Sequence, residues 1–313
     1  MGLHTNIGYA DSTINGTSGC VGCELFMPGH PEHATCYARL VHEHRLAAAR
    51  PGLYASSFAE VRLIPGRFAQ AANWKDLRGT ARPDKPWLDG LPRIIFVGDL
   101  GDFLSPAVPD EYLERELLGA IQSKNGRRHF WLLLTKQPQR LAQLSLKWGG
   151  LPGHVMAMTT VTTQATADLR LPWLLKVRAK WRGISVEPMR GPIRLAKEWL
   201  REAVPYPPPC RGFRIEPAIH QVICGGESGM LARPMHPQWA RDLRDQCQEE
   251  WIHFFFKQHG NWLHESQGGP WPQHTPAHQW PDGTVSYRVS DKSRRVLDGS
   301  EWSQMPAIME AAA

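Results

Sequence analysis

Three of the chain's six cysteines fall in one short stretch, Cys20, Cys23 and Cys36, spaced Cys-x2-Cys-x12-Cys with Gly19 and Gly22 beside them. Thiolate sulfur is a soft donor that suits zinc and iron–sulfur clusters, and glycine lets the backbone fold tightly round such a group. A cluster held by three thiolates leaves one iron open to activate a bound cofactor. The spacing equally admits a structural Zn2+ site, because His30 and His33 lie inside the loop and one of them would complete a Cys3His tetrahedron. The remaining cysteines are scattered. Cys224 sits in an apolar run, Cys247 shares a helical stripe with Trp239 and Leu243, and Cys210, in a proline-rich loop, is expected to be exposed.

A second set of chemically capable residues follows short apolar runs. Asp99 and Asp102 follow Val97, Thr135 and Lys136 follow Leu134, and Thr160, Thr162, Thr163 and Gln164 follow Met158. Ser185 and Glu187 close another run, Glu227 and Ser228 lie in Gly225-Gly226-Glu227-Ser228-Gly229, and Lys257 and Gln258 come after Phe256. Asp99, Asp102, Lys136, Glu187 and Lys257 are the candidate catalytic groups. Thr135, Thr160, Ser185, Glu227 and Ser228 are the candidate cofactor contacts. The Gly-Gly-Glu stretch lacks the Gly-x-x-x-x-Gly-Lys pattern of a phosphate cradle, and its carboxylate would repel phosphate. Glu227 is therefore expected to bind a cationic group such as an amino-acid amine.

These residues need a scaffold that aims them at one place. The apolar runs Val61–Ile64, Arg93–Val97, Phe130–Leu134, Val155–Met158, Gly183–Val186, Gln221–Cys224 and Ile252–Phe256 read as buried parallel strands, with an earlier one around Asn6–Ala10. Helices fall between several of them, clearest at Asp110–Gln122, with Leu113, Leu117, Leu118 and Ile121 on one face, and at His236–Glu250. Alternation at this spacing predicts a (β/α) barrel of about eight strands over residues 1–258, whose active site forms at the strands' C-terminal ends. The cysteine loop occupies residues 16–38, and residues 203–220, rich in proline, read as a loop insertion. Residues 259–313 read as a C-terminal extension that includes a hairpin packed on the barrel.

The net charge of +6 leans toward an anionic partner. Arg62, Arg67, Lys75, Arg78, Arg82 and Lys85 cluster with Trp74 and Trp87, and Lys176, Arg178, Lys180 and Arg182 with Trp181. Cations interleaved with aromatic rings suit a nucleic-acid backbone and unstacked bases, although ordinary surface charge over core tryptophans produces the same pattern. No stretch approaches the apolar length of a membrane span, so a soluble, cytoplasmic protein is expected.

Taken together, Asn15-Gly16-Thr17-Ser18-Gly19-Cys20, Cys23-Glu24-Leu25-Phe26, Cys36-Tyr37-Ala38, Leu134-Thr135-Lys136-Gln137-Pro138, Ser185-Val186-Glu187-Pro188, Gly225-Gly226-Glu227-Ser228-Gly229 and Phe254-Phe255-Phe256-Lys257-Gln258 resemble a phage-type three-cysteine family assigned to the radical S-adenosylmethionine (SAM) superfamily. The resemblance implies that Cys20, Cys23 and Cys36 bind three irons of a [4Fe–4S] cluster and that SAM chelates the fourth. Reduction by a flavodoxin- or ferredoxin-type donor would then release a 5′-deoxyadenosyl radical. With the basic loops, that implies modification or repair of a nucleic-acid base, in the host cytoplasm if the chain is phage-encoded. Tyr37 matches the aromatic that commonly adjoins the third cysteine. Two features depart from the superfamily: its usual spacing is Cys-x3-Cys-x2-Cys, and its Gly-Gly-Glu follows an early strand rather than a late one. The alternative remains a zinc-stabilised nucleic-acid-binding protein without redox chemistry.

Overall fold

The structure, a computed structural model, describes residues 2–27, 35–206, 210–291 and 294–307. His30 and His33 of the zinc reading lie outside the described residues, as do Pro207, Pro208, Pro209 and Lys292. The chain forms two compact units. The first comprises Met1–Thr159, Val177–Lys180 and Ala307–Ala313, and the second Thr160–Lys176 and Trp181–Pro306.

In the first unit the strands are β1 (Ser12–Ile14), β2 (Thr17–Ser18), β3 (Arg62–Leu63), β4 (Ile94–Val97), β5 (Phe130–Thr135) and β6 (Val155–Thr160, whose last residue belongs to the second unit). β1, β4, β5 and β6 lie side by side and parallel, with Ile14 beside Val97, Val97 beside Leu133, and Thr135 beside Thr159. Nearly every residue of β4, β5 and β6 is buried, which is why these segments read as continuous apolar runs rather than alternating ones. The helices are α1 (residues 37–49, with a π-helical turn at His42–Leu46), α2 (Arg67–Ala72), α3 (residues 110–122) and α4 (Pro138–Lys147). In α3 the expected stripe Leu113, Leu117, Leu118 and Ile121 is buried, although Leu113–Leu118 winds as a π-helix. Pro138 opens α4 without penalty, because the first turn of a helix has no partner for that N–H.

The second unit holds α5 (Gln164–Leu175), β7 (Trp181–Val186), α6 (Lys197–Leu200), β8 (Arg201–Pro205), β9 (Phe213–Pro217), β10 (Gln221–Gly225), α7 (Pro237–Glu249) and β11 (His253–Gln258). β7, β10 and β11 are parallel, pairing Gly183 with Gln221 and Gln221 with His253. Phe254, Phe255 and Phe256 are fully buried, and so are Cys224 and Cys247, while Cys210 is exposed. After β11 come β12 (Trp262–His264), β13 (Ala277–Gln279) and β14 (Val285–Arg288) in one antiparallel sheet, then the small hairpin of β15 (Val296–Leu297) and β16 (Ser300–Glu301).

The α/β class with parallel strands is therefore observed, but the strands differ from the sequence expectation in three places. The parallel strands among the described residues number seven, four in the first unit and three in the second, so an eight-stranded barrel is not formed. Residues 61–64 supply only β3, an antiparallel partner of β2, with Thr17 beside Leu63. Asn6–Ala10 is not a strand. Its backbone turns, and the Lys85 ammonium collects the carbonyls of Thr5, Ile7 and Ala10 at 2.6, 2.9 and 2.6 Å, so the strand starts later, at Ser12. Finally, the proline-rich insertion contains the hairpin of β8 and β9. Pro205 and Pro217 end their strands, where a missing N–H costs nothing.

Candidate functional site

The cysteine loop begins where β2 ends. Gly19 has φ +82°, and a Cβ there would lie 2.2 Å from the Glu60 carbonyl oxygen, so only glycine fits. Cys20 then donates its N–H to the Phe58 carbonyl at 2.8 Å. Cys23 and Phe26 exchange backbone hydrogen bonds of 2.6 and 3.0 Å across a tight turn, and the Cys23 sulfur accepts the Leu25 N–H at 3.4 Å. Cys36 caps the N-terminus of α1 and donates its N–H to the Leu25 carbonyl at 3.1 Å. Phe26 and His42 both pack edge-on against Phe58, and the His42 ring bonds the Ala55 carbonyl at 2.8 Å, tying the loop to α1.

None of the three cysteines is in a disulfide, and all three are half-buried. Burial pushes the Cys20 thiol above its ordinary value. Backbone N–H groups of Gly22 and Asp102 pull the other way, while the Asp102 carboxylate and Cys23 add to the rise. Cys36 is likewise raised by burial, against N–H groups of Arg39 and Ala38 in the first turn of α1 and the Lys136 ammonium. Lys136 faces the loop from the end of β5. Burial alone would lower its pKa, but Cys23, Glu24, Cys36 and Asp102 together hold it above the usual lysine value. Among the described residues, no three Cys, His, Asp or Glu side chains converge closely enough to enclose a metal ion. The donor set nonetheless fits an iron–sulfur or soft-metal centre: three thiols sit in one loop, the Cys23 sulfur already accepts a backbone N–H, and metal binding would displace the protons that burial retains on Cys20 and Cys36.

Asp102 and Thr135 act on this group from behind. The Asp102 carboxylate accepts the Thr135 hydroxyl at 2.7 Å, the Lys136 N–H at 2.7 Å and the Leu104 N–H at 3.0 Å. It thereby fixes the backbone that carries the lysine. Asp99 is bonded by the Asn15 amide, whose oxygen accepts the Leu100 N–H at 3.1 Å, and burial raises the Asp99 carboxyl above the usual carboxylate range. Asn15 and Glu24 also belong to this group: Asn15 directly follows β1, which the sequence placed earlier, at Asn6–Ala10, and Glu24 lies within the cysteine loop. Tyr37, directly after Cys36, is 59% exposed.

The second unit gathers a separate set. Lys257 and Glu187 form an ion pair of 2.7 Å, and the Ser185 hydroxyl donates to the other Glu187 oxygen at 3.1 Å. A Cβ at Gly225 would come within 3.1 Å of Glu187, and one at Gly226 within 1.9 Å of the His259 carbonyl oxygen, so this glycine pair is what lets β10 and its neighbours approach. Ser228 accepts the Gln258 amide at 2.6 Å. Thr160 is buried, its carbonyl accepting Arg170 at 2.9 Å. Glu227 does meet a cation, but one supplied by the chain itself. Arg233 bonds both its oxygens at 2.7 Å and adds its backbone N–H at 3.0 Å. Nothing in the sequence flagged Arg233, six residues away in an irregular loop.

The basic clusters divide in the same manner. Arg82 is buried on Asp11 and the carbonyls of Thr80, Leu88, Leu91 and Pro92, and Lys85 is taken up as described. Arg62 pairs with Glu60, Arg78 with Asp76 and Arg182 with Glu202. Lys75, Arg78, Lys176, Arg178 and Lys180 are exposed.

A family model described as a protein of unknown function (DUF5131) matches residues 4–306. The chain belongs to this family. Both groups of side chains lie inside the matched span. No similar curated protein and no similar solved structure was found. Among the described residues, no helix is long and apolar enough to cross a membrane.

Proposed function

We propose that this DUF5131 protein is an iron–sulfur enzyme of the radical SAM type, with Cys20, Cys23 and Cys36 as the cluster's ligands. The observation that carries the reading is the pairing of this cysteine loop with Lys136. Three thiols outside any disulfide lie in one loop, and a half-buried ammonium acts on two of them, Cys23 and Cys36, where it offsets thiolate charge. A [4Fe–4S] cluster held by these thiolates, with SAM bound, would supply one-electron reductive cleavage of the sulfonium and hydrogen-atom abstraction, given an electron from a flavodoxin- or ferredoxin-type donor. The chain's own part is to hold the sulfurs, to set their charge through Lys136, and to fix Lys136 through Asp102 and Thr135.

The substrate class proposed is a nucleic acid, on the net charge of +6 and the exposed Lys75, Arg78, Lys176, Arg178 and Lys180. Chain purified anaerobically should carry iron and acid-labile sulfide and be brown, and Cys36→Ser should lose both. Stoichiometric zinc without iron would replace this reading by the metal-stabilised binding protein. Oligonucleotide binding measured across a salt series tests the substrate class separately.

A further inference from the structure

The hairpin of β8 and β9 presents a strand edge whose charges complement a copy of itself. In its ladder Ala203 stands opposite Ile215, Val204 opposite Arg214 and Glu202 opposite Glu216. Tyr206 donates its N–H to the Gly212 carbonyl at 3.1 Å, and Ala218 to the Leu200 carbonyl at 2.9 Å. Antiparallel ladders alternate, so the even-numbered residues of β9 bond to β8 while Phe213 and Ile215 turn their N–H and C=O groups outward. β9 has β8 as its one neighbour among the described strands, which leaves that outer edge open. On one face of the hairpin Phe213 and Ile215 are 68% and 63% exposed, with Ala203 and Pro205 exposed beside them.

We propose that β9 pairs antiparallel with β9 of a second copy about a two-fold axis through Ile215. In that register each Arg214 stands opposite Glu216 of the other copy, and both contacts form at once because the sequence is charge-complementary about its centre. The two Ile215 residues exchange N–H···O bonds, and each Phe213 N–H reaches the Pro217 carbonyl across the axis. Within one chain Glu216 stands opposite Glu202, and each is already met by an arginine of its own chain, Glu202 by Arg182 at 3.1 Å and Glu216 by Arg214 two residues away on the same strand. The cross-axis register adds to these pairs, setting Arg214 and Glu216 of both copies in one cluster of alternating charge. The edge of β8 offers no such match, since the equivalent pairing about Ala203 sets Glu202 against Val204. Pro205 and Pro217 lack the outward N–H that would extend the pairing, so the contact closes as an isologous dimer rather than growing into a fibre. A contact of this size is weak, and the association should be concentration-dependent, roughly micromolar or weaker.

Sedimentation equilibrium of the full chain, from about 1 to about 200 µM, tests this. A reversible monomer–dimer equilibrium is expected, weakened at least about tenfold by Arg214→Glu and abolished by Ile215→Pro, which removes the central outward N–H but none of the hairpin's internal bonds. The double variant Arg214→Glu/Glu216→Arg restores the complementarity and should restore the dimer, which separates a charge effect from misfolding. Circular dichroism melts of all variants check folding. A chain that is monomeric throughout, a dimer indifferent to both single variants, or a charge swap that folds but fails to restore association overturns the proposal.

Discussion

At the end of β5, Lys136 faces Cys23, Glu24, Cys36 and Asp102, whereas at the end of β11, Lys257 meets Glu187 at 2.7 Å and a neighbouring carboxylate, Glu227, is gripped on both oxygens by Arg233. Both are buried or half-buried polar groups at strand ends, and both need charge balance, because an isolated ion in such surroundings costs several kcal/mol. The second unit reaches that balance within the chain, acid against base. In the first unit Lys136 faces the carboxylates of Glu24 and Asp102 and also thiols whose protonation is adjustable: burial keeps Cys20 and Cys36 protonated, and Lys136 lowers the cost of losing a proton at Cys36. A site that can change its charge can take up a cation. One whose charges are already matched serves to hold strands together. That difference is what favours the cysteines over the second unit in the proposed function.

The largest effect expected follows directly. Cys20→Ser, Cys23→Ser and Cys36→Ser should each remove nearly all iron from anaerobically prepared protein, whereas Glu187→Gln should leave the iron content unchanged. Equal losses would erase the distinction between the two groups. Next comes Arg233→Ala, which strands a carboxylate that is 7% exposed and should cost about 3 kcal/mol in denaturant unfolding. Glu227→Gln leaves behind an arginine that reaches solvent, 36% exposed at its side chain, and should cost about 1 kcal/mol.

Acid titration gives an effect comparable to the loss of Arg233 in each unit. His129, buried and bonded to the Ala72 carbonyl at 3.1 Å, is pushed down to about 4, first by burial. His259, on the Val296 carbonyl at 2.8 Å, is likewise lowered by burial to about 4. Between that value and the unfolded histidine value of about 6.5, the unfolded chain binds more protons than the folded one. Stability from these groups is therefore complete above about pH 6.5 and declines as pH falls toward 4, by about 3 kcal/mol per histidine. His129→Gln should flatten this acid limb in urea melts at stepped pH, and an unchanged slope would refute the assignment. The smallest effect concerns Lys136→Met, which should raise the Cys36 pKa and slow its alkylation by iodoacetamide about threefold to tenfold at neutral pH. Unaltered kinetics would remove Lys136 from the thiols' electrostatics.

Burial patterns were legible in advance where local sequence decides them. The stripe of α3, the apolar strands β4, β5, β6, β7, β10 and β11, and the split between Cys224 and Cys247 inside and Cys210 outside all follow from side-chain hydrophobicity and its period. Where a segment's fate depended on what bonded to it, the sequence misled. Residues 6–10 read as an early strand from their place before the cysteine loop, yet a lysine from far along the chain holds their carbonyls in a turn. Residues 61–64 look like a core strand but pair antiparallel with β2. Arg82 looks like a surface cation and is buried on Asp11.

The sequence by itself determined the α/β class, the donor types near the N-terminus and the presence of polar residues after each buried strand, because these depend on residue chemistry and on spacing within one element. Only the tertiary structure decided which of those polar residues meet. Glu227 closes on Arg233, Glu187 on Lys257, and Asp102 on Thr135 and the backbone of Lys136. Such pairings are set by how strands and loops distant in sequence are brought within a few ångströms. Charge balance at that range, rather than residue type, separates a self-satisfied ion pair from a thiol group able to accept a metal.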